Sequence, residues 1–272
     1  MIERFSLRND EKTPVVLKAS WPLKNVPNKV HLPIIKFFFK VSNSPVPSYR
    51  QLLKTAPFFL QILFRDSSKR LYEALDQRVF FKTVSIVVPS SWRDGKCQTI
   101  IRPPKGGTPY RSTDVIVTNI DPVHGDNPFT QQTSGCGQPG DKISLPYSFV
   151  TAWNQSWAEF GDPSKLFVKE WAKLRYGIFD EHGYIHDPMY PNFYYANGQV
   201  MPTGSIDVPL GGIWINMMTG HTGCDPKTEP NCLFYPHDKL MHQVTCSLGN
   251  VHFLPNVTKF CDARNNLPTH GR

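Results

Sequence analysis

The chain has 272 residues, a mass of 31.0 kDa and a formal net charge of +8, with 40% hydrophobic and 19% charged residues. It is too apolar for a disordered chain and long enough for one large domain, or for a domain with a smaller companion. Its longest apolar stretch, Thr55–Phe64, is bounded by Lys54 and Arg65 and holds Pro57 and Gln61, which excludes a spanning helix of ~20 apolar residues.

The first twelve residues, MIERFSLRNDEK, carry six charges and no apolar core, so no signal peptide is expected in this chain. Residues 1–82 hold 15 Lys/Arg and 6 Asp/Glu, a net of +9, whereas residues 83–272 hold 15 and 16, a net of −1. The basic third reads as a solvated face or a loosely ordered arm; the other reading is a basic binding surface for acidic partners. Its aromatics lie in apolar runs, Phe37–Phe39 and Phe58–Phe59, rather than among the basic residues, which argues against nucleic acid as a partner. Prolines recur at 14, 22, 27, 33, 45 and 47, no period is visible over residues 1–50, and residues 1–66 are set apart as a basic segment of uncertain order.

From Ser67 to Leu75 the pattern becomes helical, with Leu71, Tyr72 and Leu75 on one side. RVFFKTVSIVVP, residues 78–89, is a β run ended by Pro89, and Thr113–Thr118 is a second. Turn-rich loops follow at Arg102–Gly107 and Gly125–Pro128. Phe149, Trp153, Trp157 and Phe160 form an apolar stripe over Pro146–Phe160, which predicts one helix. The next helix is the best marked: Asp162 as N-cap, Pro163 at the first position, apolar Leu166, Phe167, Trp171 and Leu174, and Gly177 as its stop. A main body at 67–204 and a cysteine-bearing tail at 205–272 are expected.

Six cysteines stand at 97, 136, 224, 232, 246 and 261, none in a C-x-x-C pair, so a zinc ribbon is not indicated. An even number concentrated in a polar tail reads as a disulfide framework, with Cys224, Cys232, Cys246 and Cys261 as candidates, in an exported protein. The sequons at Asn154 and Asn256 are candidate glycosylation sites in that setting.

One constellation carries chemistry. FVKEWAKLRYGIFDE, Phe167 to Glu181, has the shape of an H-E-x-x-H zinc peptidase helix with two letters changed. In such helices two histidines at i and i+4 bind the metal and the adjacent glutamate is the general base for the zinc-bound water. Here Glu170 occupies the base position, Gly177 the turn and Asp180, beside Glu181, the third-ligand position, but both histidine positions are lysines, Lys169 and Lys173.

These residues resemble the N-terminal domain of the calcium-activated chloride channel regulator family, whose helix reads F-V-H-E-W-A-H-L-R-W-G-V-F-D-E. The likeness extends to RVFFKTVSIVVPSSW (78–92), to Tyr110–Val117, to PFTQQTSGCGQPGDKI (128–143) and, more weakly, to Val257–Asn266, about residues 64–266 in all. The resemblance implies an α+β, zincin-like metalloprotease fold, a mixed sheet with packed helices, followed by a small cysteine-rich module. It also implies a secreted or cell-surface protein whose partners are a chloride channel or the family's further domains. Full-length members add a von Willebrand type A domain, cleave themselves and modulate calcium-activated chloride conductance. On this reading the chain is a truncated paralogue or a fragment.

The two lysines decide the enzymatic expectation. A lysine ammonium has donors and no lone pair, with an ordinary pKa of ~10.4, and lysine is not among zinc's usual ligands. No cofactor is therefore expected, although intact family members carry zinc, and Glu170 is expected to be inactive as a base. His182 and His186 are four apart but lie past the helix end with Gly183 between them, which disfavours rescue. Lys169 and Lys173 are expected to pair with Glu170, Asp180 or Glu181; the competing expectation turns both towards solvent. The function read from the sequence is a catalytically inactive, secreted regulatory module, with an active self-cleaving zinc endopeptidase and a basic binding protein acting through residues 1–82 as alternatives.

Overall fold

The computed structural model describes residues 15–20, 35–39, 49–81, 83–88, 113–118, 121–237 and 239–264. These fall into two compact units, Met1–Ile178 and Phe179–Arg272. Cys97 and the Arg102–Gly107 loop lie outside the described residues.

The first unit is built on a six-stranded mixed sheet in the order β1-β3-β2-β4-β6-β5. Its strands are β1 (Val15–Ser20), β2 (Ile35–Phe39), β3 (Thr83–Val88), β4 (Val115–Thr118), β5 (Phe129–Gln131) and β6 (Lys142–Pro146). β2 runs parallel to β3 and β4, β4 runs parallel to β6, and the edge strands β1 and β5 are antiparallel to their neighbours. The Val115↔Ile143 register pairs two residues with no exposed surface, and Val115, Ile116 and Val117 are all buried, as befits a central parallel strand covered on both faces. β1 and β2 lie in the stretch where the sequence shows no period: short apolar runs such as Ile35–Phe39 become strands only through partners far along the chain.

Helix α1 (Tyr49–Ala74) is far longer than the expected 67–75. Pro57 and an unbroken apolar stretch hide its first half from a periodicity reading. Leu60, Leu63, Phe64, Ser67 and Leu71 are its buried face, and Phe64 meets Phe167 edge-to-face at 5.2 Å. β3 starts later than residue 78. Phe81 N donates to the Ser68 hydroxyl (3.0 Å), which ties this stretch to α1 instead of to a strand ladder, while Val79, Phe80 and Phe81 stay buried.

The expected helix over 146–160 is two, α2 (Tyr147–Thr151) and α3 (Trp153–Phe160), broken at Ala152 (φ −96°, ψ 56°). Ser156 Oγ donates to Phe149 O (2.9 Å) and Thr151 Oγ1 to Tyr147 O (3.0 Å), so hydroxyls satisfy carbonyls that a continuous helix would use. The apolar stripe divides accordingly: Phe149 is buried and Trp157 is exposed.

α4 (Pro163–Tyr176) follows the sequence reading at both ends. It packs on α1, β5 and β6.

The second unit holds two hairpins, β7 (Phe193–Ala196) with β8 (Gln199–Pro202) and β9 (Gly212–Asn216) with β10 (Cys232–Pro236), and a short helix, α5 (Leu248–Val251). The first turns through Asn197 (φ 50°) and Gly198 (φ 77°), the left-handed pair of a tight hairpin. Disulfides Cys224–Cys232 and Cys246–Cys261 bear out the expected cysteine pairing, and around the second Val244, Leu248, Leu254 and Val257 form a small core. Asp207 joins distant segments by accepting from Thr245 N (3.1 Å) and Cys246 N (3.4 Å). Among the described residues no helix is long and apolar enough to cross a membrane.

Candidate functional site

α4 is pinned at both ends. At its start Asp162 Oδ1 accepts from Ser164 N (2.9 Å) and Asp162 Oδ2 from Arg70 Nε and Nη2 of α1 (3.2 and 3.1 Å). At its end Gly177 takes φ 66° and its N–H reaches Lys173 O. A side chain there is excluded as well, because a Cβ would lie 2.1 Å from Gln138 O. The loop bearing Gln138 also closes the helix end: Gly140 N donates to Leu174 O (3.0 Å) and Gln132 Nε2 to Ile178 O (2.9 Å). At mid-helix Thr130 Oγ1 of β5 donates to Glu170 O (2.8 Å).

On this fixed helix the ionisable residues face inward. Glu170 is 2% exposed, Lys169 6% and Lys173 7%, which overturns the solvent-facing alternative for the lysines. Lys173 Nζ lies 2.9 Å from Glu170 Oε1, one turn along the helix. The second oxygen, Glu170 Oε2, is buried with no hydrogen-bond partner among the described residues. The positive charge in the Glu170 pocket is thus the neighbouring ammonium.

The sequence reading missed Lys165, although Lys165, Lys169 and Lys173 stand at i, i+4 and i+8 and that spacing was visible. Lys165 is 3% exposed, and its pKa lies below the ordinary lysine range because burial disfavours the charged amine; Asp162 opposes that effect and Arg70 adds to it.

Asp180, Glu181, His182 and His186 belong to the second unit. Asp180 accepts from Tyr184 Oη (3.0 Å), and its Oδ1 lies 3.9 Å from His182 Nε2. Glu181 is held by backbone pairing with Gly249 and Ser205, and its carboxyl occupies space that a Cβ at Gly249 would fill. His186 is exposed with φ 61°, in a loop rather than on a helical face. Of the sequons, Asn154 is exposed on α3 with its Ser156 buried, and Asn256 is exposed with its amide donating to His242 O (2.6 Å).

The donor set does not fit zinc. On α4 a carboxylate is engaged by an ammonium and the two ligand positions supply amines, not imidazoles. Among the described residues no group of three or more His, Cys, Asp or Glu side chains could hold a metal.

A family model described as "Calcium-activated chloride channel N terminal" matches residues 43–270. Similar proteins include calcium-activated chloride channel regulator 1 of Macaca mulatta (31% identity, covering 74% of this chain and 22% of that protein), regulator 2 of Homo sapiens (33%, 81% and 22%) and regulator 2 of Mus musculus (37%, 77% and 21%). The chain thus spans about a fifth of the length of these curated relatives. No solved structure matches it. The match over most of its length, together with the helix Phe167–Tyr176, establishes that this chain belongs to the calcium-activated chloride channel regulator family, as a counterpart of its N-terminal domain.

Proposed function

We propose that this domain is a catalytically inactive, metalloprotease-like module that regulates calcium-activated chloride conductance by binding, outside the cell, rather than by proteolysis. The observation that carries the reading is the buried Lys173–Glu170 ion pair: the residue at the base position is engaged by an ammonium at a ligand position. Glu170 acts as a base only on water acidified by a metal, whose pKa falls from ~15.7 to near ~7 on zinc. The mixed sheet with α4 packed beneath β5 and β6 supports a zincin-like ancestry. The two disulfides support export. The names of the relatives point to a chloride channel, or to the family's other domains, as partner.

Metal analysis of the purified protein after dialysis tests the reading, with Lys169→His plus Lys173→His alongside. The unaltered chain should hold no stoichiometric zinc and cleave neither itself nor a peptide, while the double variant gains zinc. Stoichiometric zinc with peptide cleavage by the unaltered chain would overturn the proposal in favour of an active endopeptidase.

A further inference from the structure

The second unit contains a cleft of about 220 Å³ that plays no part in the chemistry of α4. One wall is the 185–193 loop, the other the 226–232 loop. Both walls are braced. Asp187 Oδ1 accepts from Met189 N and Tyr190 N, the Cys224–Cys232 disulfide closes the second loop, and Asn192 Nδ2 donates to Cys232 O (3.0 Å) across the cleft. His186 and Asn231, one on each wall, hold left-handed backbone (φ 61° and 65°), a conformation that other contacts must enforce.

The rim is apolar. Met189 (74%), Tyr190 (55%), Met217 (50%), Met218 (79%) and Tyr195 (53%) are half of the exposed large hydrophobic residues described in this unit. Met189 and Tyr190 belong to the 185–193 loop, Met217 N donates to Asn231 O (3.0 Å) with Met218 next to it in the chain, and Tyr195 carries Lys227 Nζ 6.0 Å above its ring. Methionines and tyrosines are side chains that protein-binding surfaces favour.

Size and charge select the occupant. Drug-sized ligands take pockets of ~300–1,000 Å³, so this volume admits one or two side chains rather than a whole small molecule. The apolar rim then needs a surface to cover it, which only a macromolecule provides. The cleft lining holds Asp187 and Glu229 against Lys227, a net of −1 with its histidine neutral. The His221 side chain, helped by Asp225 N and Asn216, lowers the Glu229 pKa below the ordinary carboxylate value.

We propose that this cleft docks an extended segment of a partner protein that inserts an apolar side chain between the prolines of the two walls and sets a basic residue beside Asp187 and Glu229. The proposal is independent of the zinc question, since the ion pair lies in the other unit.

The test uses the full chain and two synthetic peptide pools, one combining Lys/Arg with Leu/Phe and one combining Asp/Glu with Leu/Phe, followed by fluorescence anisotropy. The basic pool should bind. Met217→Ser plus Met218→Ser, exposed positions that leave the fold intact, should weaken it at least tenfold. Lys227→Glu should tighten it several-fold. Preference for the acidic pool, binding unchanged in the methionine variant, or no binding by either pool would each overturn the proposal; a cooperative thermal unfolding transition matching that of the unaltered chain establishes that every variant is folded.

Discussion

Lys173 Nζ sits 2.9 Å from Glu170 Oε1, and both side chains are more than nine-tenths buried. Removing the Lys173 ammonium strands the Glu170 carboxylate, whose second oxygen already lacks a hydrogen bond, in a low-dielectric site, whereas removing both leaves only a packing problem. Lys173→Met alone should therefore destabilise the protein by about 3–5 kcal/mol, whereas Glu170→Met with Lys173→Met should come within about 1 kcal/mol of the unaltered chain. A double-mutant cycle by urea unfolding checks this; additive single losses would mean that the two groups do not depend on each other.

The sequence showed α4 to the residue because its signals are local. Asp162, Pro163 and Gly177 each act on backbone within a turn of themselves. It also carried the expectation that Lys169 and Lys173 do not make a conventional zinc site. It could not show that Lys173 meets Glu170, because Glu170, Asp180 and Glu181 are all acidic residues within a dozen positions and the i, i+3 pair forms only once α4 is buried. β1 and β2 were illegible for a different reason: their pairing with β3 and β4 is set by residues about 50 to 80 positions away. The break at Ala152 arises from the Ser156 hydroxyl taking a helix carbonyl, which an apolar stripe does not reveal.

The edge strand β5 supports the site helix through Thr130, whose hydroxyl donates to Glu170 O at 2.8 Å. Thr130→Val keeps the shape and deletes the donor. Because Glu170 O keeps a second lone pair for the helix, the loss should be about 1 kcal/mol, near that of one ordinary hydrogen bond. Thermal unfolding measures it, and a loss above about 3 kcal/mol would mean that the strand and helix separate altogether.

The two disulfides should contribute unequally. Cys246–Cys261 closes a 15-residue separation and Cys224–Cys232 one of 8. Loop-closure entropy assigns about 3 kcal/mol to the first and about 2.5 kcal/mol to the second. Cys224, Cys232 and Cys246 are all buried, so both double alanine variants should lose more than the entropy alone. Unfolding of each double alanine variant in urea ranks them; equal losses would show that lost core packing at Cys224 and Cys232 offsets the shorter loop.

Lys165 yields a pH dependence with a definite sign. Burial lowers its pKa in the folded state, and Arg70 adds to that while Asp162 and Glu73 oppose it. The unfolded chain holds the lysine at its ordinary value of 10.5. Between the lowered value and 10.5 the unfolded state therefore binds more protons than the folded one, and stability rises with pH across that window. Below the window the charged, buried amine is a fixed burden on the fold. Lys165→Met removes the burden and the titration together. The variant should be at least as stable as the unaltered chain at pH 7.5, and its advantage should shrink by pH 9.5. Urea unfolding at the two pH values, with the exposed Cys136 thiol alkylated, measures the difference. An advantage that grows with pH would mean that Lys165 is held charged by its neighbours more strongly than burial opposes it.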